Sequence, residues 1–434
     1  MSFKDFKKNK RLKYLFKNKA LLLVLLIFFA DFFLKIYQMD LKYPFGYDQV
    51  DNAWAAKNFI FNHQIPLVGM VAKTDSGIFI GPAYYYIVSL FYWISNFNPV
   101  ASEILALLTG IFTFWVLYYV GKKLFSVEVA IIAVLVYTFN FYSITFDGIQ
   151  WPVQLLPATS FLIFYFLYKV ITGNPKYIIA LSLAIGFAFN LHFTAIFFPI
   201  IVILSLPLFP RTKETLKYIL ISIPLFLVWF VPNIIAQLQS GNSQASHLTG
   251  YISTYYHGFH LVRMRQLLGD ALIQFDTYIY FEAIKPLKIF LLPLFFFVYL
   301  YKSFTSEKKK FSYLVILWFL VPWLVFTTYA GEITDYYFII SRFVALMIFA
   351  YLIYRVWNLK YIFAKGFVVV FLVCYCYLTF NNYFHYTDGS NLPKQENQVI
   401  QAVNQGKRIQ FQVGVPESYL YWYYMWTLKR INVY

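Results

Sequence analysis

The residues best able to do chemistry are concentrated in one polar stretch, residues 38–82, of a chain that is otherwise strongly apolar. This stretch contains Asp48, Asp51, Lys57, Lys73 and Asp75. The whole chain is 60% hydrophobic and only 13% charged. Carboxylates can take a proton from a reacting hydroxyl, and lysines can hold an anionic leaving group. The pattern therefore predicts chemistry at a membrane surface, in a loop held by the apolar segments around it.

The apolar segments indicate the class of protein. Runs of about 18 or more apolar residues recur along the chain, as is typical of a helical membrane protein that crosses the bilayer many times. The basic residues behind the net charge of +17 lie in short clusters between these runs, where they orient the chain. This placement argues against nucleic-acid binding. We interpret Cys374 and Cys376, inside an apolar run, as packing or lipid-facing residues.

The basic clusters also predict the topology. Residues 1–19 are rich in Lys and Arg and precede an uncleaved apolar anchor, so the N-terminus is expected in the cytoplasm and residues 38–82 outside. The segment 83–97, at about 15 residues, is short for a span and rich in tyrosine, which favours a helix in the membrane interface. With that choice, every later basic cluster falls on the cytoplasmic side. Further spans are predicted at 102–120, 127–145, 153–171, 177–193, 194–209, 217–237, 284–301, 311–329, 341–358 and 364–381.

We therefore predict an all-α polytopic plasma-membrane protein with about eleven transmembrane helices. Residues 1–381 form the membrane domain, with a large first outer loop at 38–101 that contains interfacial helices and a second outer loop at 238–283. The second loop is long enough to be a lid or to recognise an acceptor. Residues 382–434 form a small outer segment, with room for about two strands and a helix.

This topology places most of the acidic residues outside. An enzyme working there has no ATP or nucleotide sugar, so its donor must already be in the membrane, and polyprenyl-phosphate sugars are the obvious kind. Within the spans, charge is nearly absent, and Asp31 and Lys35 are expected to pair at i,i+4. A coupled transporter usually has several ionisable groups near the midplane, and the sequence shows none of that kind.

Several motifs together resemble those of the GT-C glycosyltransferases. They are Tyr47-Asp48-Gln49, the following Asp51-Asn52-Ala53-Trp54-Ala55-Ala56, and the segment 77–86 with Gly81-Pro82-Ala83-Tyr84-Tyr85-Tyr86. The chain looks like the protein O-mannosyltransferase and lipid A aminoarabinose transferase type, including the bacterial group named for lipopolysaccharide core transferases. Gln49 stands where that family usually has a second acid, which weakens a metal site at this pair.

Two downstream motifs extend the resemblance to roughly residues 20–380. Asp147, in Thr145-Phe146-Asp147-Gly148, resembles an acid that the family has at the outer end of the third span. The segment Asp335-Tyr336-Tyr337-Phe338, which runs on to Arg342, resembles the aromatic opening of a late span. The resemblance implies that Asp147, Tyr337 and Arg342 contact the substrate.

The reaction implied is sugar transfer from a polyprenyl phosphate to an acceptor hydroxyl. It needs a carboxylate base, for which Asp48 and Asp51 are both candidates, and cations that hold the departing phosphate. The candidate cations are Lys73, Arg263, Arg265 and Arg342. His192 is a further candidate for the site. If Asp48 and Asp147 serve one site, both should face one outward cavity.

Each candidate also has a purely structural interpretation. Asp48 with Asp51 three residues later is typical of a helix start, with Asp48 as the N-cap residue. Asp147 suits an Asx-turn, a hydrogen-bonded structural role is the commoner one for His192, and Arg342 at a span end could snorkel to the interface. These alternatives stay open at the level of sequence.

The sequence as a whole predicts an inverting glycosyltransferase that uses a polyprenyl-phosphate sugar. Its acceptor is a lipid, a glycan or a protein, and membrane lipids surround it. No cofactor is predicted, although a divalent metal stays open. The alternative function is a non-catalytic transporter or lipid-handling protein. Convergence of the outer carboxylates on one cavity favours the enzyme, and a polar path across the midplane favours the transporter.

Overall fold

The computed structural model describes residues 10–72, 76–240, 244–256, 258–267, 309–407, 409 and 415–427. Within these residues the regular structure is helical, with isolated β-bridges and no strands, so the predicted all-α class is confirmed. The helices are α1 (Lys10–Ile36), α2 (Met39–Lys42), α3 (Tyr47–Phe61), α4 (Ala83–Ile94), α5 (Val100–Leu124), α6 (Val127–Thr138), α7 (Phe141–Asp147), α8 (Leu156–Ile171), α9 (Tyr177–Ala188), α10 (Phe197–Ser205), α11 (Lys213–Leu227), α12 (Val231–Ser240), α13 (Gln244–Tyr255), α14 (Lys309–Phe326), α15 (Arg342–Trp357), α16 (Ile362–His385), α17 (Leu392–Asn404) and α18 (Pro416–Thr427).

Six helical segments in the described part of the chain are long and apolar enough to cross a membrane. They are Val100–Leu124, Pro152–Ile171, Lys213–Ser240, Lys309–Phe326, Tyr336–Trp357 and Ile362–His385. The bent pair α6 and α7 makes a seventh if it is one span. The protein is therefore a multi-pass membrane protein, and the predicted count of eleven is not confirmed. Two of the other predicted spans are shorter apolar helices, and the span at 284–301 lies outside the described residues.

The bend between α6 and α7 has a local cause. The two helices meet at 72°, and Asn140 stands between them. Its side-chain oxygen accepts a hydrogen bond from the backbone N–H of Ser143 at 2.7 Å, so a new helix begins there. The turn carries Asp147, the last residue of α7, into the interior of the bundle.

The polar first loop and the C-terminal segment lie together at one end of the bundle, called here the cavity end. The backbone N–H of Phe45 donates to the carbonyl of Ser390 at 2.8 Å, and that of Asp388 donates to Leu41 at 2.9 Å. Helix α18 packs against α3. The C-terminal segment contains α17 and α18. Its strand-like stretch 408–415 lies outside the described residues except at 409 and 415.

Candidate functional site

Helix α3 positions the two leading carboxylates, and its start differs from the prediction. Gly46, not Asp48, is the N-cap residue. The backbone N–H of Gly46 donates to the side-chain Oε1 of Gln49 at 2.8 Å, and the Gln49 amide nitrogen donates to the carbonyl of Gln150 at 2.8 Å. The N-cap interpretation of Asp48 is therefore wrong, because Gly46 and Gln49 close the helix end. Asp48 lies in the first turn without a capping task.

Asp48 and Asp51 face a polar cavity of about 660 Å³ at the cavity end. Its walls come from the start of α3, the paired stretches 69–72 and 76–80, called here the hairpin, Tyr85 of α4, and the segment before α15. The residues of this last segment are Glu332, Thr334, Tyr336 and Tyr337. Three carboxylates therefore converge on one cavity, and no basic residue is among its described lining residues. This is the arrangement that favours the enzyme over the transporter.

The two carboxylates of α3 differ in their surroundings. The Tyr85 hydroxyl donates a hydrogen bond to Asp51 Oδ2 at 2.5 Å, whereas the Asp48 carboxylate makes no hydrogen bond or ion pair with a described residue. Burial and the neighbouring charge of Asp51 raise the pKa of Asp48 to about 6. Burial also raises the pKa of Asp51, and the hydrogen bond from Tyr85 opposes that shift. Asp48 is therefore the carboxylate that is free to take a proton near neutral pH.

Asp147, which the sequence places with Asp48, does not line this cavity. Its carboxylate is buried with 1% exposure and forms an ion pair with Lys35 at 3.1 Å. Lys35 also pairs with Asp31 at 2.7 Å, as predicted, and the Tyr137 hydroxyl donates to Asp147. A Cβ at Gly110 would lie 3.1 Å from Lys35 Cε, so the glycine leaves room for the lysine. The structure places Asp147 in an ion-pair cluster inside the bundle.

Arg342 is also inside the bundle. It is 1% exposed, its guanidinium carbon lies 5.1 Å from the ring centroid of Tyr142 and 5.3 Å from that of Phe146, and it donates to the hydroxyl of Ser143. Snorkelling is therefore the wrong interpretation, because the aromatic rings enclose the cation. Arg342 does not line the polar cavity, so this geometry gives its predicted phosphate contact no support.

Of the remaining candidates within the described residues, Tyr337 alone lines the cavity. His192 Nδ1 accepts a hydrogen bond from the Thr194 backbone N–H at 3.3 Å, and the imidazole packs against the Tyr337 ring at 5.4 Å between centroids. These contacts indicate a structural role for His192, which packs behind the Tyr337 side of the cavity wall. Arg263 donates to the carbonyl of Gly331 at 2.9 Å, beside Glu332.

Two of the predicted phosphate cations are not seen in contact with the cavity. Arg265 is exposed and does not line it. Lys73 lies outside the described residues, although its neighbour Ala72 lines the wall. No group of three or more His, Cys, Asp or Glu that could hold a metal ion occurs in the described part of the chain.

An apolar cavity of about 580 Å³ lies next to the polar one. Phe79 and Ala72, both in the hairpin, line the two cavities in common. The hairpin is held by backbone hydrogen bonds, from Gly69 N–H to the Ile80 carbonyl at 2.9 Å and from Ala72 N–H to the Ile78 carbonyl at 2.7 Å. It therefore acts as a partition between a polar and an apolar compartment.

Three residues of this site could not be predicted from the sequence. Glu332 is 284 residues after Asp48, and nothing local distinguishes it from the other outer acids. Tyr85 belongs to a Tyr84-Tyr85-Tyr86 run in which only the packing of α4 on α3 decides which ring reaches Asp51. Phe79 is one of 50 phenylalanines, so its position between two cavities has no signal in the sequence.

This helical bundle, with its cavities at one end, resembles known structures. Residues 80–235 match the model of the dolichyl-phosphate-mannose-protein mannosyltransferase family. The fold is similar to that of ArnT from Cupriavidus metallidurans bound to undecaprenyl phosphate, with a TM-score of 0.54 at 11% identity over 95% of this chain and 75% of ArnT. The predicted resemblance to the GT-C superfamily is confirmed.

A second GT-C structure is similar as well. The oligosaccharyltransferase AglB from Archaeoglobus fulgidus, in complex with an inhibitory peptide and a dolichol-phosphate, gives a TM-score of 0.57 at 12% identity. The match covers 88% of this chain and 57% of AglB, so the chain spans little more than half of that protein. No curated protein sequence matches the chain. At these identities the structural likeness concerns the GT-C fold.

Proposed function

We propose that this protein is an inverting glycosyltransferase that moves a sugar from a polyprenyl phosphate to an acceptor hydroxyl. The observation that carries the proposal is Asp48, an unpaired carboxylate among the described residues, with its pKa raised to about 6, in a polar cavity that borders an apolar one. The two GT-C neighbours carry undecaprenyl phosphate and dolichol-phosphate, which supports a lipid-linked donor.

Asp48 is the proposed general base. It takes the proton of the acceptor hydroxyl while the acceptor oxygen attacks the anomeric carbon, and the bond from that carbon to the phosphate oxygen breaks. Attack from the face opposite the phosphate inverts the configuration. Phosphate leaves as a stable anion, so no general acid is required at the leaving group. Asp51, held by Tyr85, orients the start of α3 and raises the pKa of its neighbour.

The two compartments suit the two ends of such a donor. The polyprenyl tail lies in the apolar cavity, against residues such as Phe189, Trp229 and Phe230, and the sugar lies in the polar cavity beside Asp48. The phosphate is then near the partition formed by the hairpin. Lys73, which follows Ala72 in the sequence, remains the predicted phosphate ligand.

The cavity end is proposed to face the outside of the plasma membrane. The basic cluster of residues 1–19 favours a cytoplasmic N-terminus, and the contacts between the first loop and the C-terminal segment put both on one side. Reporters fused after residue 434 test this orientation. An alkaline phosphatase fusion is expected to be active, and activity of a cytoplasmic reporter there contradicts it.

The function is tested with the purified protein in lipid vesicles and a panel of polyprenyl-phosphate sugars. Membrane lipids and glycans of the cell from which the protein comes serve as acceptors. The release of free polyprenyl phosphate is measured. We expect one sugar to be consumed with transfer to an acceptor. Absence of release from every donor, by protein that is monodisperse and folded, would overturn the proposal.

The pH dependence should distinguish Asp48 from Asp51. Because the base must be ionised, kcat/KM is expected to fall about tenfold per pH unit below the Asp48 pKa of about 6. Asp51→Asn removes the charge that helps to raise this pKa, so its acid limb should move to lower pH while activity is kept. Asp40→Asn, at an exposed carboxylate of the same loop, is the control and should leave the profile unchanged. An inactive Asp51→Asn protein, together with near wild-type transfer by Asp48→Asn, instead identifies Asp51 as the base.

The partition should affect binding of the lipid. Phe79→Ala removes the ring that both cavities share and is expected to raise the KM for the lipid donor about 3- to 10-fold, as partial loss of an apolar contact does. The kcat value should change little, since Asp48 is untouched. Phe363→Ala, at a ring that is 72% exposed on α16, is the matched control. An equal effect of both variants would contradict a specific lipid contact at Phe79.

A further inference from the structure

The C-terminal helix α18 is packed directly on the helix that carries the base. The indole N–H of Trp54, in α3, donates to the hydroxyl of Ser418 at 3.3 Å. Trp54 also meets Tyr419 edge-on, with centroids 5.5 Å apart, and Trp422 at 5.9 Å. Further along α3, the ring of Phe61 contacts Trp422 at 6.0 Å. These contacts join a segment that follows the last described membrane helix to the wall of the cavity.

Tyr419 lies where α3 and α4 meet. It is fully buried, its hydroxyl donates to the carbonyl of Phe97 at 3.0 Å, and its ring also meets that of Tyr92 edge-on at 5.9 Å. Trp54 is three residues after Asp51 on α3, and Tyr92 is seven residues after Tyr85 on α4. Residues at these spacings share a helix face. Tyr419 therefore wedges between the two helices whose side chains meet in the Asp51–Tyr85 hydrogen bond.

The same C-terminal segment also holds the chain that leads into α3. Lys42 donates to the carbonyls of Tyr383 and Tyr386, at 2.7 and 2.6 Å, at the end of α16. Phe45, which precedes α3, is bonded through its backbone to Ser390 and packs against Tyr419 at 6.2 Å between centroids. Helix α3 is thus fixed both at its entry and along its length by residues after 382.

We infer that α18 is part of the catalytic unit, with Tyr419 and Trp422 as positioning residues for Asp48. This inference rests on the proposed function of Asp48 as the base. The two rings fix the distance between α3 and α4. This distance keeps Asp51 within hydrogen-bonding reach of Tyr85. Asp51 in turn provides the negative charge next to Asp48. Edge-on aromatic packing supplies directional contacts that a purely aliphatic interface lacks.

The test compares Trp422→Ala with Tyr424→Ala in the full-length protein. Tyr424 lies on the same helix, with no ring contact to α3 among the described residues. For Trp422→Ala we expect kcat to fall on the order of 10- to 100-fold, because small misplacement of a catalytic group is costly. The KM for the lipid donor should stay within about twofold, since α18 does not line the apolar cavity. Trp422→Phe should restore most of the activity, and Tyr424→Ala should match wild type.

A pH profile separates positioning from simple loss of folded protein. If α3 loosens, Asp48 becomes more solvated, and the acid limb of kcat/KM should move below its wild-type position. A merely structural role lowers the yield of folded protein but leaves the acid limb in place. Wild-type kcat together with an unmoved acid limb in Trp422→Ala would overturn the inference, as would an equal loss in Tyr424→Ala.

Hydrogen exchange gives a reading that does not depend on activity. Amides of residues 47–61 should exchange at least about tenfold faster in Trp422→Ala than in wild type or Tyr424→Ala, because local opening becomes easier when packing is lost. If the wild-type protein transfers no sugar while this exchange difference is present, the proposed function fails and the docking of α18 on α3 stands. If sugar transfer is present and exchange is equal in all three proteins, the positioning role fails and the function stands.

Discussion

Asp48→Asn is expected to abolish most sugar transfer and at the same time to make the protein more stable. Asparagine keeps the size of the side chain but cannot take a proton, so turnover should fall on the order of 10²-fold or more. The fold is expected to be unchanged, because Gly46 and Gln49, not Asp48, close the start of α3. Turnover of the best lipid-linked donor and thermal unfolding of the purified variant are the two measurements.

The gain in stability follows from the pKa of Asp48. A carboxyl group whose pKa is raised in the folded state stabilises the fold below its ordinary pKa, and this stability is lost as the pH rises through about 6. At about pH 7.5 the ionised group therefore costs on the order of 1–3 kcal/mol, which asparagine avoids. The difference in melting temperature between variant and wild type should shrink as the pH falls from about 7.5 to 5.

Asp40→Asn is the matched control, since Asp40 is exposed in the same loop. It should leave the rate of sugar transfer unchanged. A fully active Asp48→Asn protein would contradict the assignment of the base. An inactive variant that is less stable than wild type at every pH would show instead that Asp48 is a structural group.

The membrane class and the position of the catalytic loop could be predicted from sequence because they depend on local composition. Apolar runs and basic clusters report burial in a bilayer directly, and the polar loop stands out against them. The start of α3 could not be settled in the same way. Asp48 and Gly46 are both good N-cap residues, and the choice depends on Gln49, whose amide reaches Gln150 about a hundred residues away.

The internal charges show the limit of sequence analysis more clearly. The Asp31–Lys35 pair is within one helix turn, so its spacing predicts it. Asp147 joins this pair only because of the 72° bend after α6, which turns the end of α7 into the bundle. The same tertiary packing encloses Arg342 in aromatic rings. A residue at the end of a predicted span could as well face solvent, and the sequence gives no means of choosing.

Of the single substitutions proposed for this protein, Lys35→Met is expected to lower the free energy of unfolding the most. Lys35, Asp31 and Asp147 are each 1% exposed, and Lys35 is within 3.1 Å of both carboxylates. Methionine preserves the apolar stem and removes the charge, which leaves two buried carboxylates without their cation. Removal of one partner from a buried ion pair costs about 3–5 kcal/mol. We expect a large fall in the melting temperature of the detergent-purified protein, measured beside Lys19→Met, an exposed lysine on the same helix, which should be nearly neutral.

The neutral triple variant Asp31→Asn, Lys35→Met, Asp147→Asn decides what the cluster is for. Because no charge then remains unpaired, most of the lost stability should return, as when buried ion pairs are replaced by groups of similar volume. If the cluster only supports the bundle, the triple variant should also transfer sugar at close to the wild-type rate, since Asp48 and the polar cavity are untouched. A triple variant that is stable but inactive would contradict this and would show that the charges of the cluster are needed for the reaction. Failure of the triple variant to regain stability would show that the hydrogen bond from Tyr137 to Asp147, and not the balance of charge, holds this part of the bundle.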